Sequence, residues 1–245
     1  MRCSAPDAGR SRSRITRRGL GRLWAALVLV MLTPLGAMAA SDPTRNASPP
    51  PSPNPARPTG TVMFQDNFSD GDFKGWVSDS PGVWTVVHGM LRAELPDQRQ
   101  QHSFLYAGSE SWTDYAVELD MCMMRGVDKG VIVRVEGEDG IGVDLRGPGY
   151  QDVVVNHREW PMGRARMTNA NTVWHHMRVE VRGNRVKVTI NGEHALVAVD
   201  KKDRRPNGRI ALSAYTGGGG ECLVYYDNIV VTQLTDTPET AADAH

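Results

Sequence analysis

The segment from residue 174 to 199 constrains the fold most, because it contains three short alternating stretches joined by two hairpin turns. The turns hold Gly183-Asn184 and Asn191-Gly192, dipeptides that are typical of two-residue β-hairpins. A meander of antiparallel strands has one apolar face, which must pack against a second layer. The segment therefore predicts a sheet that forms one half of a β-sandwich.

Strand-like patterns also cover most of the chain between residues 61 and 234. From Val117 to Met123, apolar residues alternate with Glu118 and Asp120, as expected for a sheet with one face in the core and the other in water. No window holds apolar residues at helical spacing for three turns without glycine, so very little helix is predicted. Strands are predicted at Val62 to Phe68, Val83 to Val87, Met90 to Glu94, Ser103 to Ala107, Tyr115 to Met124, Gly130 to Val135, Gly140 to Leu145, Asp152 to His157, Met177 to Arg182, Arg185 to Ile190, His194 to Val199, Arg209 to Tyr215 and Cys222 to Gln233. This pattern favours an all-β, two-sheet antiparallel jelly roll over an immunoglobulin sandwich.

The N-terminal residues 1–39 have the organisation of a signal peptide. Several arginines precede the apolar run Leu23 to Leu32, and the small-residue triplet Ala37-Met38-Ala39 follows it. The run is shorter than the roughly 20 residues that cross a bilayer, so no membrane span is expected in the mature form. Arg17-Arg18 lies in a string that is similar to the twin-arginine export motif, which leaves the Sec and twin-arginine routes both open. We expect a secreted, periplasmic or cell-envelope protein.

The rest of the chain divides into a linker, one domain and a tail. Residues 40–60 are rich in Pro, Ser and Asn and predict a disordered linker. Residues 61–234 have a suitable size for a single core, and residues 235–245 predict a disordered polar tail. No repeat and no second domain is indicated.

Charge argues against nucleic-acid partners. Residues 1–40 hold seven of the 28 Lys and Arg but one of the 28 Asp and Glu, so the remainder carries 21 basic and 27 acidic side chains, a net charge of −6. Nucleic-acid binding depends on a concentrated positive field, and the mature chain offers none.

Two cysteines, Cys122 and Cys222, remain after cleavage in a compartment that permits oxidation. Antiparallel pairing of their two strands would bring them together as a disulfide. The alternative is a pair of small buried hydrophobic residues, since free cysteine is among the most buried residue types.

Several stretches of residues 61–234 share the features of one family. They read FQDNFSDGDFKGW, GVWTVVHGML, DYAVELDM, GVIVRV, WHHMRVEVRGNRVKVTINGE, GRIALSAYTGGG and VYYDNIVV. These stretches resemble the concanavalin A-like lectin and glucanase superfamily. They are most similar to its laminin-G-like and 3-keto-disaccharide-hydrolase-type domains, over essentially all of residues 61–234. The resemblance implies a jelly-roll sandwich, a carbohydrate partner and several functions that share one architecture.

Catalysis of the glucanase type is not favoured. The catalytic strand of such glucanases carries three acidic residues at alternating positions, because alternate residues on a strand share a face. This chain offers Glu118 and Asp120, and Cys122 or Met123 replaces the third acid. We expect Glu118 and Asp120 to lie on the hydrated face of an outer sheet.

Candidate ligand-binding residues cluster in the middle third of the domain. Sugar rings stack on aromatic faces, while planar polar groups bind their hydroxyls. The candidates are Arg134, Asp144, Arg146, Tyr150, His157, Arg158, Glu159 and Trp160. Ordinary cross-strand ion pairs, such as Arg134 with Asp144, would explain part of this set without any ligand.

The resemblance also implies a structural calcium ion that bridges the first and last strands. Its ligands would be Asp66, the Gly89 carbonyl and Asp227, since calcium prefers carboxylate and carbonyl oxygens. The alternative is that the two aspartates bond turn amides. His175 and His176 point to opposite faces of a strand and cannot share one metal ion without a bulge.

We therefore expect an exported, glycan-binding, lectin-like domain that acts in or outside the cell envelope. The first alternative is a glycoside or 3-keto-sugar hydrolase, for which Asp144, His157 and Glu159 are the best local candidates. The second alternative is a laminin-G-like module for protein interaction or adhesion. The sequence leaves open whether any catalysis occurs.

Overall fold

The computed structural model describes residues 47–53, 60–147, 149–157, 160–201 and 205–235. The predicted signal peptide, most of the predicted linker and almost all of the predicted tail lie outside these residues. Within this part of the chain there are fifteen strands and no α-helix, and accordingly no helix that could cross a membrane. The strands are β1 (Thr61–Asp66), β2 (Trp76–Ser78), β3 (Trp84–Val87), β4 (Met90–Leu95), β5 (His102–Ala107), β6 (Tyr115–Arg125), β7 (Asp128–Glu136), β8 (Asp139–Arg146), β9 (Asp152–His157), β10 (Trp160–Arg166), β11 (Trp174–Arg182), β12 (Arg185–Ile190), β13 (Glu193–Val199), β14 (Arg209–Tyr215) and β15 (Cys222–Gln233).

The strands form two antiparallel sheets. The eight-stranded sheet, called sheet A, has the order β13-β12-β11-β6-β15-β4-β3, and β1 pairs with the second half of β15. The seven-stranded sheet, called sheet B, has the order β10-β9-β8-β7-β14-β5-β2. This architecture confirms the predicted all-β, two-sheet sandwich.

The core lies between the two sheets and is built from alternate residues of each strand. Val117, Leu119 and Met121 of β6 face Val131 and Val143 of sheet B, and all five side chains are inaccessible to solvent. Burial of one such aliphatic side chain contributes about 1.5–3 kcal/mol. The period of two in the sequence therefore sets which face of each strand packs inward.

The meander at residues 174–199 forms as the turn dipeptides indicate. Strands β11, β12 and β13 are consecutive neighbours in sheet A. Asn191 and Gly192 have φ values of 52° and 82°, which the two central positions of a type I′ turn require.

Two strands, β2 and β10, were not predicted from the sequence. Strand β2 has only three residues, too few for an alternating pattern to be visible. Strand β10 contains Pro161 and Gly163, which usually argue against a strand, but it lies at the edge of sheet B, where proline is tolerated. A Cβ on Gly163 would lie 2.8 Å from Leu196 Cδ1, so this glycine permits close packing between β10 and β13.

Cys122 and Cys222 are both free thiols and both buried. Their strands, β6 and β15, are antiparallel neighbours, but Cys122 pairs with Tyr225 and Cys222 pairs with Leu95. Cys222 faces the core between the sheets, whereas Cys122 belongs to a separate cluster on the outer face of sheet A. The two sulfur atoms therefore lie on opposite faces of sheet A.

The Arg134 side chain is buried in a hydrogen-bond network with neighbouring loops. It has a φ of 52° at an irregularity in the β7–β8 pairing, and only 2% of it is exposed. Its guanidinium donates to the carbonyl oxygens of Gly183, Arg205 (2.9 Å) and Thr113 (3.2 Å) and to Asp114 Oδ1 (3.1 Å). The bulge turns this side chain away from the neighbouring strand, so the Arg134–Asp144 pair considered from the sequence does not form.

Candidate functional site

A groove with a volume of about 530 Å³ crosses the outer face of sheet B. Its size lies within the range of about 300–1,000 Å³ that is usual for small-molecule sites. Five adjacent strands, β5, β14, β7, β8 and β9, supply most of its surface. The residues that line it are Gln100, His102, Phe104, Tyr106, Asp128, Ile132, Val135, Glu138, Asp139, Gly140, Gly142, Asp144, Arg146, Val154, Asn156, Ser213 and Tyr215.

Small residues make the floor of the groove. Gly140, Gly142 and Ser213 line it at the centre of the sheet, and Gly130 pairs with Asp144 there. A Cβ on Gly130 would lie 1.9 Å from the Val143 carbonyl oxygen, so that position excludes any side chain. The small side-chain volume at Gly140, Gly142 and Ser213 leaves the depression, while Gly130 permits close approach of β7 and β8.

Aromatic side chains form one side of the groove. His102, Phe104 and Tyr106 occupy alternate positions of β5 and therefore share a face, with ring centroids 5.9 Å and 6.2 Å apart. Tyr215 of β14 pairs with His102, and their rings stack at 4.0 Å. The Tyr215 hydroxyl donates to the Gln100 side chain, which fixes the ring. This continuous aromatic stripe is suited to the apolar faces of a ring-shaped ligand.

Carboxylates and an amide form the opposite side. Asp144 accepts a hydrogen bond from Asn156 Nδ2 at 3.3 Å, and burial together with the nearby Asp128 raises the pKa of Asp144 to about 6. Burial also raises the pKa of Asp128. Because Gly130 pairs with Asp144 while Asp128 pairs with Arg146, the two acids are diagonal neighbours, about 7–8 Å apart between Cα atoms.

Arg146 is held rigidly at the end of this polar side. Its Nε and Nη2 donate to Asp152 Oδ1 at 2.7 Å and Oδ2 at 3.0 Å, and this interaction lowers the pKa of Asp152. The guanidinium also lies 4.1 Å from the centre of the Tyr150 ring. Because two hydrogen bonds hold the planar Arg146 guanidinium, its remaining N–H groups have a fixed orientation.

The structure brings together only part of the candidate set from the sequence. Asp144 and Arg146 line the groove, and the exposed Tyr150 adjoins it through Arg146. His157 is buried, with Nε2 at 3.5 Å from Asp139 Oδ1. Trp160 pairs through its backbone with His157, and Arg158 and Glu159 lie outside the described residues.

Sequence reasoning missed the aromatic stripe. The signal was present, because His102, Phe104 and Tyr106 alternate with the small or apolar Ser103, Leu105 and Ala107 in HSFLYA. An aromatic residue at every second position of a strand indicates an exposed aromatic row. Asp128 and Asn156 had no such signal, since only the pairing of β7, β8 and β9 brings them to the groove.

The candidate calcium ligands fit only in part. The two oxygens of Asp66 accept hydrogen bonds from the Phe68 amide and the Trp76 indole, both at 2.8 Å, so N–H donors already use this carboxylate. Asp227 Oδ1 accepts from the Asn228 amide at 2.7 Å, and burial, with Asp120 and Asp66 nearby, raises the pKa of Asp227 to about 6. Within the described residues no group of three or more His, Cys, Asp or Glu could hold a metal ion. Both oxygens of Asp66 are therefore occupied by N–H donors, and the described surroundings of Asp227 do not form a metal site.

A polar network lies on the outer face of sheet A. Asp120 and Asp227 are directly opposite each other on β6 and β15, and only 1% of Asp120 is exposed rather than facing water as expected. His176 compensates this charge, with Nδ1 2.8 Å from Asp120 Oδ1 and Nε2 3.4 Å from Glu118 Oε2. These bonds, first to Asp120 and then to Glu118, raise the pKa of His176 to about 9. His175 lies on the other face and contacts the Ala170 carbonyl at 3.1 Å.

The raised pKa of His176 predicts a pH-dependent contribution to stability. A histidine whose pKa is about 9 in the folded state and about 6.5 in the unfolded state stabilises fully below pH 6.5 and loses this effect as pH rises to 9. With 33% of the side chain exposed, solvent screening reduces the effect to about 1 kcal/mol. We expect His176→Gln to be about 1 kcal/mol less stable than wild type at pH 6 and equally stable at pH 10, by urea unfolding. A constant difference across this pH range would contradict the ion pair.

The two antiparallel sheets form a sandwich of the concanavalin A-like fold. A family model described as the 3-keto-alpha-glucoside-1,2-lyase-like domain matches residues 61–232, and the chain belongs to this family. No curated protein matches the chain.

Solved structures with similar folds include a carbohydrate-binding module and an enzyme. The module CBM66 from Bacillus subtilis has 15% sequence identity and a TM-score of 0.55, and the alignment covers 65% of this chain and 96% of the module. The Crh5 transglycosylase in complex with NAG has 10% identity and a TM-score of 0.56, with coverage of 74% and 88%. The calcium-bound lumenal domain of VIP36 has 11% identity and a TM-score of 0.54, with coverage of 70% and 90%. At these identities the likeness shows the fold alone.

Proposed function

We propose that the groove on sheet B binds a glycan. The observation that carries this proposal is the stripe of His102, Phe104, Tyr106 and Tyr215, which faces fixed polar groups across a floor of small residues. Sugar rings have apolar faces that stack on aromatic rings, and their hydroxyls bond to carboxylates, amides and guanidinium groups. The groove offers both kinds of contact on opposite walls.

Two further points support a carbohydrate ligand. Solved structures of the same fold include a module that is named as carbohydrate-binding and a transglycosylase that is solved with NAG. The predicted signal peptide over residues 1–39 would deliver the domain to the compartment where envelope and extracellular glycans occur. We therefore propose an exported domain that recognises a poly- or oligosaccharide.

The proposal is tested by applying the purified chain to a glycan array. We expect binding to a defined group of glycans, and we expect Tyr215→Ala to weaken it at least tenfold because the stacking surface is lost. Val197→Ala, on sheet A, is the matched control and should bind as wild type does. Equal binding by Tyr215→Ala would place the ligand elsewhere.

Binding is also predicted to depend on pH through Asp144. With a pKa of about 6, this carboxyl is mostly ionised at pH 7.5 and mostly protonated at pH 5. An ionised acceptor bonds a hydroxyl more strongly by roughly 1 kcal/mol, so affinity should fall about fourfold between these pH values. Asp144→Asn should remove the dependence, as titration calorimetry at both pH values would show. A variant that keeps the wild-type pH profile would rule out Asp144 as the responsive group.

Cleavage of a glycoside is the second candidate function. It is favoured by the diagonal pair of Asp128 and Asp144, of which Asp144 exchanges a proton near pH 6, as a general acid or base must. The family to which the chain belongs is described as lyase-like. Release of reducing sugar from a bound glycan, or of a 3-keto sugar from a glycoside that already carries the 3-keto group, would establish catalysis if it is lost in Asp144→Asn with binding retained. Binding of a glycan without release of either product would contradict catalysis and support binding as the function of the groove.

A structural calcium ion at Asp227 is a separate proposal. The support for this proposal is the Asp227 carboxyl, whose pKa is raised to about 6 mainly by burial, because a bound cation would stabilise its ionised form. We expect millimolar CaCl₂ to raise the Tm by a few degrees relative to EDTA, and we expect Asp227→Asn to remove the difference. An unchanged Tm for the wild-type chain would show that the aspartates only bond turn amides.

A further inference from the structure

The outer face of sheet A carries an apolar cluster that is separate from the core. Its members are Met90, Cys122, Met124, Leu223 and Tyr225, and all are buried although they point away from sheet B. Ala47 and Trp174 pack against this cluster. An element that precedes the sandwich in the sequence therefore covers part of the outer face of sheet A.

That element is the Pro-rich segment 47–53, Ala-Ser-Pro-Pro-Pro-Ser-Pro, which we call the strap. Trp174 Nε1 donates to the Pro50 carbonyl at 2.7 Å, and Asn228 Nδ2 donates to the Pro53 carbonyl at 2.8 Å. Pro49 is buried. The two carbonyls are three residues apart, which is one turn of a polyproline II helix, so they face the same side of such a helix.

Sheet A holds one of the two donors in a fixed orientation. Asn228 has a φ of 53° at an irregularity in the pairing of β15 with β6. Its Nδ2 lies 2.7 Å from Asp120 Oδ2, and His176 binds the other oxygen of Asp120. The amide is therefore oriented by groups of the sheet, independently of the strap.

We propose that the outer face of sheet A, with Trp174 and Asn228 as its donors, is a binding site for a polyproline II peptide, and that its occupant is the chain's own strap. An indole N–H that donates to a proline carbonyl beside an apolar surface is how folded domains recognise Pro-rich segments, because a polyproline helix loses little entropy on binding. The strap lies on the outer face of sheet A, whereas the groove lies on the outer face of sheet B. The anchored segment consequently leaves the groove on sheet B open to its ligand.

The test uses the full chain and the reactivity of Cys122 toward a maleimide, followed by mass spectrometry of its peptide. Cys222 in the core is the internal control for global unfolding. Pro49→Gly/Pro50→Gly removes the polyproline preference of the strap, and Trp174→Phe removes one donor but keeps an aromatic ring. We expect both variants to label at Cys122 at least tenfold faster than wild type, with Cys222 unchanged. Equal rates at Cys122 would overturn the proposal.

Two further measurements separate the strap from a general loosening of the sheet. A synthetic peptide with the sequence of residues 47–53, added to Pro49→Gly/Pro50→Gly, should restore slow labelling of Cys122, whereas a peptide with alanine in place of every proline should not. In wild type, the indole N–H of Trp174 should exchange with solvent at least tenfold more slowly than in the double glycine variant. The indole of Trp84, which bonds to Ser103 in the core, should not change. Failure of the native peptide to protect, or equal exchange at Trp174, would contradict the site.

Discussion

Replacement of Arg134 by methionine is expected to lower the free energy of unfolding by about 3–5 kcal/mol. The side chain is almost fully buried, and its guanidinium satisfies three backbone carbonyls and the Asp114 carboxylate. Methionine has similar length but no donor, so the buried side chain would lose its hydrogen bonds to the three carbonyls and to Asp114. Urea unfolding followed by fluorescence measures the change.

Two controls define the cause of this loss. Arg134→Lys keeps the charge but cannot reach several acceptors at once, so we expect an intermediate destabilisation. Arg185→Met removes an exposed arginine from β12 and should change stability by less than about 0.5 kcal/mol. A loss below about 1 kcal/mol for Arg134→Met would mean that the network does not hold β7 to the neighbouring loops.

A large loss of glycan affinity is predicted when the floor of the groove is filled. Gly142→Val is expected to reduce glycan affinity at least tenfold, or about 1.4 kcal/mol, without unfolding the domain. Gly142 lies in the middle of β8, where valine is favoured, and a Cβ there would lie 3.0 Å from the Asn156 side chain, which can move. The added methyl groups would fill the depression between the aromatic and polar sides. Titration calorimetry with a glycan from the array, and thermal unfolding, measure the two effects.

Gly130→Ala and Val77→Ala are the matched controls for this variant. Gly130→Ala places a Cβ 1.9 Å from a backbone oxygen, so it should lose stability as well as affinity. Val77 is 63% exposed on β2, at the edge of the same sheet, and its replacement by alanine should affect neither property. Full affinity in a folded Gly142→Val protein would show that the ligand does not reach the floor of the groove.

The fold could be predicted from the sequence because its determinants are local. Alternation from Val117 to Met123 sets which face of β6 packs against sheet B, and Asn191-Gly192 sets a hairpin without reference to any other part of the chain. Strand β10 was missed because its Pro161 and Gly163 are acceptable only at a sheet edge, and edge position is a property of the whole sheet.

The groove could be predicted only in part because it depends on strand order. Asp144 and Arg146 lie on β8, beside other candidates in the sequence, and were identified. His102 and Tyr215 are far apart in the sequence and meet only because β5 pairs with β14. Arg134 was assigned to the site because its strand neighbours that of Asp144, but a local bulge with positive φ redirects its side chain. Pairing across the sheet and backbone irregularity are not visible in a periodic pattern.

The contacts of the Pro-rich segment with sheet A also could not be predicted from the sequence. Its composition predicts an extended chain with little to bury, and this explains why residues 40–60 read as a disordered linker. Its anchoring points, Trp174 and Asn228, lie more than 120 residues further along the chain. Composition describes what a segment prefers by itself, whereas docking depends on the surface that the folded domain provides.

The most direct test of the glycan-binding groove is a crystal structure of the chain with an oligosaccharide that binds on the array. We expect a sugar ring stacked on Tyr215 or His102 on the outer face of sheet B, with hydroxyls bonded to Asp144, Asn156 or Arg146. A bound oligosaccharide seated on sheet A or on the loops at the ends of the sandwich, with the groove unoccupied, would contradict this assignment.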